Sequence, residues 1–235
     1  MGHDAAYMGS GGLLAALHEL LFPACCVECT RPGAWICGPC TRAFPLFDAP
    51  QPAPLLPSGR KPLVLRVFAF APYAHAAWNR SIRAVKYEQA TALVSVIHAV
   101  AHRYRASLAV PWPFERGAGW ELVPIPTRLA HRAERGGDHM DVWVEVMQEL
   151  LPEARLSRSL LSVEEGEAHA SLSTKEAREQ VSDHTFTAKS CKGMRVILVD
   201  DVYTTGATMQ AAAAALMEAG AERVEIIVGA FSGAR

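Results

Sequence analysis

Two adjacent carboxylates and a hydroxyl-rich turn stand where an apolar stretch of the chain gives way to a helix. The run Val196 to Val199 is followed by Asp200 and Asp201, and the turn 204–208 then supplies three threonines and a glycine. In open α/β sheets, ligands bind at the carboxyl ends of such buried parallel strands. Backbone N–H groups at the start of the next helix favour a phosphate, and Gly206 permits its close approach. The pattern predicts a phosphate site flanked by two acids, whereas an ordinary capped helix would leave both carboxylates without a partner.

The same stretch resembles the signature by which type I phosphoribosyltransferases bind 5-phosphoribosyl-1-diphosphate (PRPP). That signature is four apolar residues, two acids, two apolar residues and a hydroxyl-rich turn with glycine. The resemblance implies that Asp200 and Asp201 are the catalytic-site acids and hold the ribose hydroxyls, while Mg²⁺ bound with PRPP neutralises the diphosphate. It also implies that the turn holds the 5-phosphate through Thr204, Thr205, Gly206, Ala207 and Thr208. Tyr203, just before the turn, is bulkier than the usual aliphatic residue.

Basic residues elsewhere in the chain could complete such a site. The segment Val123 to Arg128 lies where the family has its diphosphate-binding loop, and two prolines preset its turn. Arg128 would meet the diphosphate there, although the segment also fits a plain turn with a surface arginine. Arg80, Arg83 and Lys86 share one face of an expected helix. That face is either solvated, placed beside the phosphates of PRPP, or in contact with a nucleic-acid backbone. We include Lys86 in the predicted PRPP site.

Four cysteines near the N-terminus have the spacing of a metal site. Cys26-x-x-Cys29 and Cys37-x-x-Cys40 form two knuckles separated by seven residues. Four thiolates at this spacing suit structural zinc, and so short a segment has too little core to fold without a metal. Iron in a rubredoxin-like site and two disulfides are the alternatives. Cys25 adjoins the first knuckle and could replace Cys26.

A second pair of possible metal ligands is less persuasive. His98 and His102 lie one helical turn apart. Because no acid accompanies them in an HExxH pattern, we do not expect a catalytic metal there.

Strands and helices that alternate from Val64 onward predict an open parallel α/β sheet with flanking helices. We therefore expect an N-terminal helix and zinc module in 1–47, a proline-rich linker without regular structure in 48–62, and a phosphoribosyltransferase-like domain in 63–235. The expected strands are Val64 to Phe70, Glu121 to Ile125, Leu160 to Val163, Arg195 to Val199 and Val224 to Ala230. The expected helices are Leu13 to Phe22, Asn79 to Tyr87, Thr91 to Arg105, Asp138 to Leu151 and Thr208 to Ala219.

Composition sets limits on function. The 235 residues are 50% hydrophobic and carry a formal net charge of −1, so no global basic field attracts nucleic acid or acidic membranes. No apolar run is long enough to cross a membrane, and we recognise no export signal. We therefore expect a cytoplasmic protein.

A narrower resemblance spans nearly the whole chain. The cysteine pairs, Ile82 to Tyr87, Val123 to Pro126, Arg135-Gly136, Leu172-Ser173 and the final acid-turn motif occur in the same order as in ComF-type competence proteins. The chain departs from that family in two places. Gly137, Asp138 and His139 stand where the family has Phe-Asn-Gln. The segment around Leu172-Ser173, which would close over PRPP, is altered too, so ligand binding is better supported than turnover.

Two classes of function follow from these resemblances. The first is Mg²⁺-dependent transfer of phosphoribosyl from PRPP to an unknown nitrogen acceptor. The second is a non-catalytic accessory role in DNA uptake, in which the zinc module and the basic face bind single-stranded DNA or a protein of the competence machinery. Aromatic residues beside basic ones, which support single-strand binding, are sparse: Trp78 and Tyr104.

Overall fold

The apolar runs of the sequence pair as neighbouring strands of one sheet. The computed structural model describes residues 23–56, 59, 61–87, 91–110, 112–114, 118–127, 138–163 and 186–232. Its strands are β1 (Gln51–Pro52), β2 (Arg66–Pro72), β3 (Trp120–Pro124), β4 (Arg155–Leu156), β5 (Leu161–Val163), β6 (Phe186–Ala188), β7 (Arg195–Tyr203) and β8 (Arg223–Phe231). Its helices are α1 (Gly38–Ala43), α2 (Ala76–Tyr87), α3 (Val94–Ser107), α4 (Met140–Leu150) and α5 (Ala207–Glu218), and a single 3₁₀ turn, Thr91–Leu93, precedes α3.

The main sheet has the strand order β1-β2-β8-β7-β3-β4 in the described part of the chain. The pairs from β2 through to β4 are parallel, and only the edge strand β1 is antiparallel. The strands β5 and β6 form a separate antiparallel ribbon. This arrangement confirms the predicted α/β class with a parallel sheet and flanking helices. Because β2, β8, β7 and β3 run the same way, their carboxyl ends meet at one edge, where ligands bind in such sheets.

The chain divides into two compact units, Met1–Phe44 and Pro45–Arg235. The proline-rich segment 48–62 belongs to the second unit, and the prediction that it has no regular structure is wrong. Gln51 and Pro52 pair with Val67 and Arg66 as the edge strand β1. An edge strand tolerates proline because its outer side needs no N–H donor.

Helices cover the two faces of the second unit's sheet. On one face, Ala212 and Ala213 of α5 are fully buried, and their small side chains let the helix lie close to β7. On the other face, the ring of Trp143 in α4 lies over Gly229 of β8, where an added Cβ would be 2.1 Å from the ring. Trp78 of α2 donates its indole N–H to the carbonyl of Gly229, 3.0 Å away. Close packing on both faces explains why Val196 to Val199 are buried completely.

Most element boundaries lie within a few residues of those expected, with one difference that matters for the site. Strand β7 does not end at Val199 but continues to Tyr203, because its pairing with β8 extends to Tyr203 opposite Phe231. The two acids therefore lie on the strand itself. The expected helix from Leu13 to Phe22 lies outside the described residues. Within the described ranges, no helix is both long enough and apolar enough to span a membrane.

Candidate functional site

A cleft of about 670 Å³ opens at the carboxyl edge of the sheet. Strand β3 follows β7 only as far as Pro124 opposite Val199, and the N–H of Ile125 makes a last bond to the Val199 carbonyl at 2.9 Å. The chain then turns away through Pro126, while β7 continues beside β8. The space left next to β7 is the cleft. Its polar and charged lining residues are Tyr73, Arg83, Lys86, Tyr87, Thr127, His139, Asp200, Asp201, Thr204 and Thr208.

Two neighbouring acids form the floor of the cleft. The Asp201 side chain is only 4% exposed, and Lys86 Nζ lies 2.6 Å from its Oδ2. Burial and the neighbouring Asp201 carboxylate raise the pKa of Asp200 well above its usual range. Burial alone would lower the pKa of Lys86, but the Asp201 and Asp200 carboxylates outweigh it and raise that pKa. Lys86 is thus the counter-charge of the acid pair.

The turn after β7 has the geometry of an anion site. Gly206 adopts φ +80° and precedes α5, and its carbonyl accepts the N–H of Gln210 at 2.9 Å. The first N–H groups of a helix have no partner within it and favour a negative charge. Thr204 and Thr205 are exposed, and Thr204 and Thr208 line the cleft. The turn can therefore present backbone N–H groups and hydroxyls to a phosphate.

Tyr203 supports this turn from below, a role that the sequence did not indicate. A Cβ added to Gly206 would lie 2.0 Å from the Tyr203 hydroxyl, so the turn rests directly on the ring. The ring is stacked on Phe231 at 5.4 Å between centroids. Gln210 donates to the Tyr203 hydroxyl at 3.3 Å and to the Val64 carbonyl at 2.8 Å. The bulky residue before the turn thus fixes the position of the turn.

A polar cluster on the opposite wall joins the loop after β3 to the start of α4. The Thr127 hydroxyl donates to Asp138 Oδ1 at 3.0 Å, and the Met140 N–H donates to the same oxygen at 3.1 Å. His139 follows Asp138 in the chain, and its Nε2 lies 3.7 Å from Oδ2 of Asp201. The departure from the ComF pattern at 138–139 thus brings an imidazole to the acid pair.

The structure brings most of the predicted PRPP residues together. One cleft is lined by Lys86, Asp200, Asp201, Thr204 and Thr208. Thr205, Gly206 and Ala207 lie between Thr204 and Thr208 at the start of α5. The predicted diphosphate residue Arg128 lies outside the described residues, as do Arg135-Gly136 and the altered segment around Leu172-Ser173.

The aromatic residues considered for nucleic-acid stacking are not available for it. The side chains of Trp78 and Tyr104 are fully buried in the core of the second unit. Stacking of bases requires an exposed ring face. Of the three basic residues on α2, Arg83 and Lys86 line the cleft, and Arg80 does not.

The N-terminal unit contains the four-cysteine cluster. The sulfur atoms of Cys26, Cys29, Cys37 and Cys40 all lie within 4.8 Å of one another. Cys29 Sγ and Cys37 Sγ are 3.7 Å apart, close to the roughly 3.8 Å expected between two thiolates bound to tetrahedral zinc. The four cysteines therefore fit a four-thiolate metal ion. Cys25 is exposed, and its thiol faces the Pro23 carbonyl instead of the cluster.

Backbone donors prepare one of these thiols for metal binding. Burial would raise the pKa of Cys26, but backbone N–H groups, those of Cys29 and Cys37 among them, lower it to about 6. The Cys37 N–H is 3.4 Å from the Cys26 sulfur. Since the thiolate is the form that binds metal, Cys26 is a ready ligand at neutral pH.

Comparison with known proteins agrees with the topology. Residues 154–235 match the phosphoribosyl transferase domain family. The competence protein ComFC of Bacillus subtilis (strain 168) is 34% identical over 103 residues, which are 42% of this chain and 39% of that protein. The matched stretch thus spans about two fifths of the relative's length.

Solved structures of two enzymes share part of the chain at low similarity. An allosteric regulatory enzyme of purine biosynthesis is 19% identical with a TM-score of 0.35, and glutamine PRPP amidotransferase from B. subtilis is 18% identical with a TM-score of 0.33. Each match covers 58% of this chain and 26% of the other. Scores this low carry no argument about function. The matched domain and the ComFC relative, together with the parallel sheet and the four-cysteine cluster, make the chain similar to ComF-type proteins and agree with the predicted phosphoribosyltransferase fold.

Proposed function

We propose that the cleft binds Mg²⁺-PRPP, with the ribose hydroxyls on Asp200 and Asp201 and the 5-phosphate at the turn 204–208. The observation that carries the proposal is the position of the acid pair, one short turn before the start of α5 and in the same cleft. A ribose 5-phosphate needs carboxylate acceptors for its vicinal hydroxyls and, next to them, N–H donors for its phosphate. The end of β7 supplies the carboxylates, and the start of α5 supplies the N–H donors.

Lys86 has a part in both the empty and the occupied cleft. Without ligand it neutralises Asp201 at 2.6 Å. Ribose hydroxyls donate to the same carboxylate oxygens, so binding frees the ammonium to turn towards the phosphates of PRPP. Arg83, one turn earlier on α2, adds a second cation to the same wall.

In the proposed reaction a nitrogen nucleophile displaces diphosphate from C1 of the ribose. Mg²⁺ carried by PRPP would neutralise the leaving diphosphate. The chain itself positions the ribose and supplies electrostatic stabilisation, and no side-chain nucleophile is needed. We place the reaction in the cytoplasm, because four thiols in one cluster need a reducing compartment. We propose zinc as the ion of that cluster.

The test is calorimetric titration of Mg²⁺-PRPP into the wild-type protein and into the variant Asp200→Asn/Asp201→Asn. We expect saturable binding by the wild type and none by the variant. Asp141→Asn is the matched control, because it removes a carboxylate from an exposed position on α4 and should bind normally. Failure of a folded, metal-loaded wild type to bind would refute the proposal.

A second function is favoured by the similarity to a competence protein. In it the chain is a non-catalytic accessory of DNA uptake that binds single-stranded DNA or a competence partner through Arg80 and Arg83. Fluorescence anisotropy with a labelled oligonucleotide separates the two functions. DNA binding through phosphates weakens steeply as salt rises. It should also survive Asp200→Asn/Asp201→Asn, whereas PRPP binding should not.

A further inference from the structure

Two histidines and a glutamate converge at the surface between α3 and α4, on residues that the proposed PRPP site does not use. His98 Nδ1 lies 2.8 Å and His102 Nε2 2.9 Å from the same carboxylate oxygen, Oε2 of Glu149. All three ligand atoms are within 4.8 Å of one another. The acid absent from the local sequence pattern is therefore supplied by another helix.

The set is open to solvent on one side and fixed on the other. The side chains of His102 and Glu149 are 54% and 46% exposed, and that of His98 is 19% exposed. An ion can therefore reach the three atoms from water and keep a water ligand of its own. The adjacent buried residues of α3, among them Ile97 and Ala101, hold the histidine backbone in place.

A further contact keeps the two helices in register. Arg105 of α3 donates from its NH1 to the carbonyl of Leu150 at 2.6 Å, one residue beyond Glu149. The backbone under the three ligands is thus fixed from both helices. Preorganisation of this kind lowers the cost of collecting ligands around an ion.

We propose that His98, His102 and Glu149 bind a divalent transition-metal ion, Zn²⁺ in the first place, and that the ion ties α3 to α4. Two imidazoles and a carboxylate are three of the four ligands of a tetrahedral zinc site, and water completes it. Ligand atoms about 2.0–2.1 Å from zinc are roughly 3.3 Å apart in a tetrahedron. The present separations of 2.8 and 2.9 Å need to widen by only a few tenths of an ångström. Each imidazole would bind the ion through the ring nitrogen that now faces Glu149 and carry its proton on the other ring nitrogen.

The experiment titrates Zn²⁺ by calorimetry into full-length protein whose four-cysteine cluster is already loaded with zinc. We expect the wild type to bind one further equivalent and to melt at a higher temperature with zinc than without it. His98→Gln/His102→Gln should lose that equivalent, and Glu149→Gln should bind at least tenfold more weakly. Glu145→Gln removes the same charge one turn earlier on α4 and should match the wild type.

The difference in zinc uptake between the wild type and the double-histidine variant distinguishes this site from other thiols or imidazoles of the chain that bind zinc. Zinc uptake that is equal in the wild type and the double-histidine variant would overturn the proposal, as would a wild type that takes up no further zinc. The proposal would also be overturned if hydrogen bonds alone held the cluster together and it bound no metal ion. In that case the variants melt at lower temperature than the wild type by the same amount with and without zinc.

Discussion

Replacing Lys86 with methionine leaves two acids at the floor of the cleft without their cation. Removing one partner of a buried ion pair costs about 3–5 kcal/mol. The Lys86 side chain is 25% exposed, so water screens part of the charge that it leaves behind. We therefore expect Lys86→Met to lower the free energy of unfolding by about 1–3 kcal/mol at neutral pH.

The pH dependence of this loss has a definite sign. The folded-state pKa of Lys86 is raised, so its stabilisation is complete below about pH 10.5 and disappears as the pH rises through the folded pKa. The pKa of Asp200 is also raised, so the folded protein keeps a proton on this carboxyl at pH values where the unfolded chain has lost it. The free energy of unfolding therefore falls as the pH rises through that pH range. Without Lys86 the pKa of Asp200 rises further, because the ammonium group of Lys86 lowers it in the wild type. The loss caused by Lys86→Met should therefore be larger at pH 8 than at pH 5.

The assay is urea unfolding followed by tryptophan fluorescence, because four of the five tryptophans lie in Pro45–Arg235. A double-mutant cycle of Lys86→Met and Asp201→Asn isolates the energy of the pair. Arg83→Met, which removes an exposed cation from the same helix, is the control and should change stability by less than about 0.5 kcal/mol. A coupling energy below about 0.5 kcal/mol, or an equal loss at both pH values, would refute the reasoning.

Two further predictions concern the turn and the cysteine cluster. Gly206→Ala places a methyl group 2.0 Å from the Tyr203 hydroxyl at a residue with positive φ. Urea unfolding should therefore show a free energy of unfolding lower by about 1–3 kcal/mol, and calorimetry should show weaker PRPP binding. A folded variant with unchanged affinity for PRPP would contradict this role of the turn. Cys26→Ser should reduce the zinc bound per chain and expose the N-terminal unit to proteolysis, whereas Cys25→Ser should do neither; equal metal content in the two variants would count against the assignment of ligands.

The sequence could predict those parts of the site that are contiguous in the chain. A buried strand, two acids and a glycine turn follow one another directly, so the local pattern alone indicates their position at a sheet edge. The four cysteines are equally local, and the structure brings them together as their spacing suggests. What the pattern misjudged was the end of β7, because continued pairing with β8 depends on a partner strand and not on the residues of β7.

Contacts between distant residues could not be read in this way. Lys86 and Asp201 are 115 positions apart, and His98 and Glu149 are 51 apart. Such pairs depend on how helices pack on the sheet, for which a single sequence gives no register. The same limit applies to Trp78, whose position near Arg80 in the sequence does not reveal that its indole N–H donates to the Gly229 carbonyl.

The pairing of β2 with β8 has a consequence for synthesis of the protein. Val67 lies opposite Ile226, so β2 leaves the ribosome about 160 residues before its partner. At about 5–20 residues per second this delay lasts roughly 8–30 s. Val67 to Ala71, buried almost completely in the finished sheet, must stay soluble during that time. Since β8 lies between β2 and β7, a nascent chain that stalls before residue 223 has both strand edges open and is prone to aggregation.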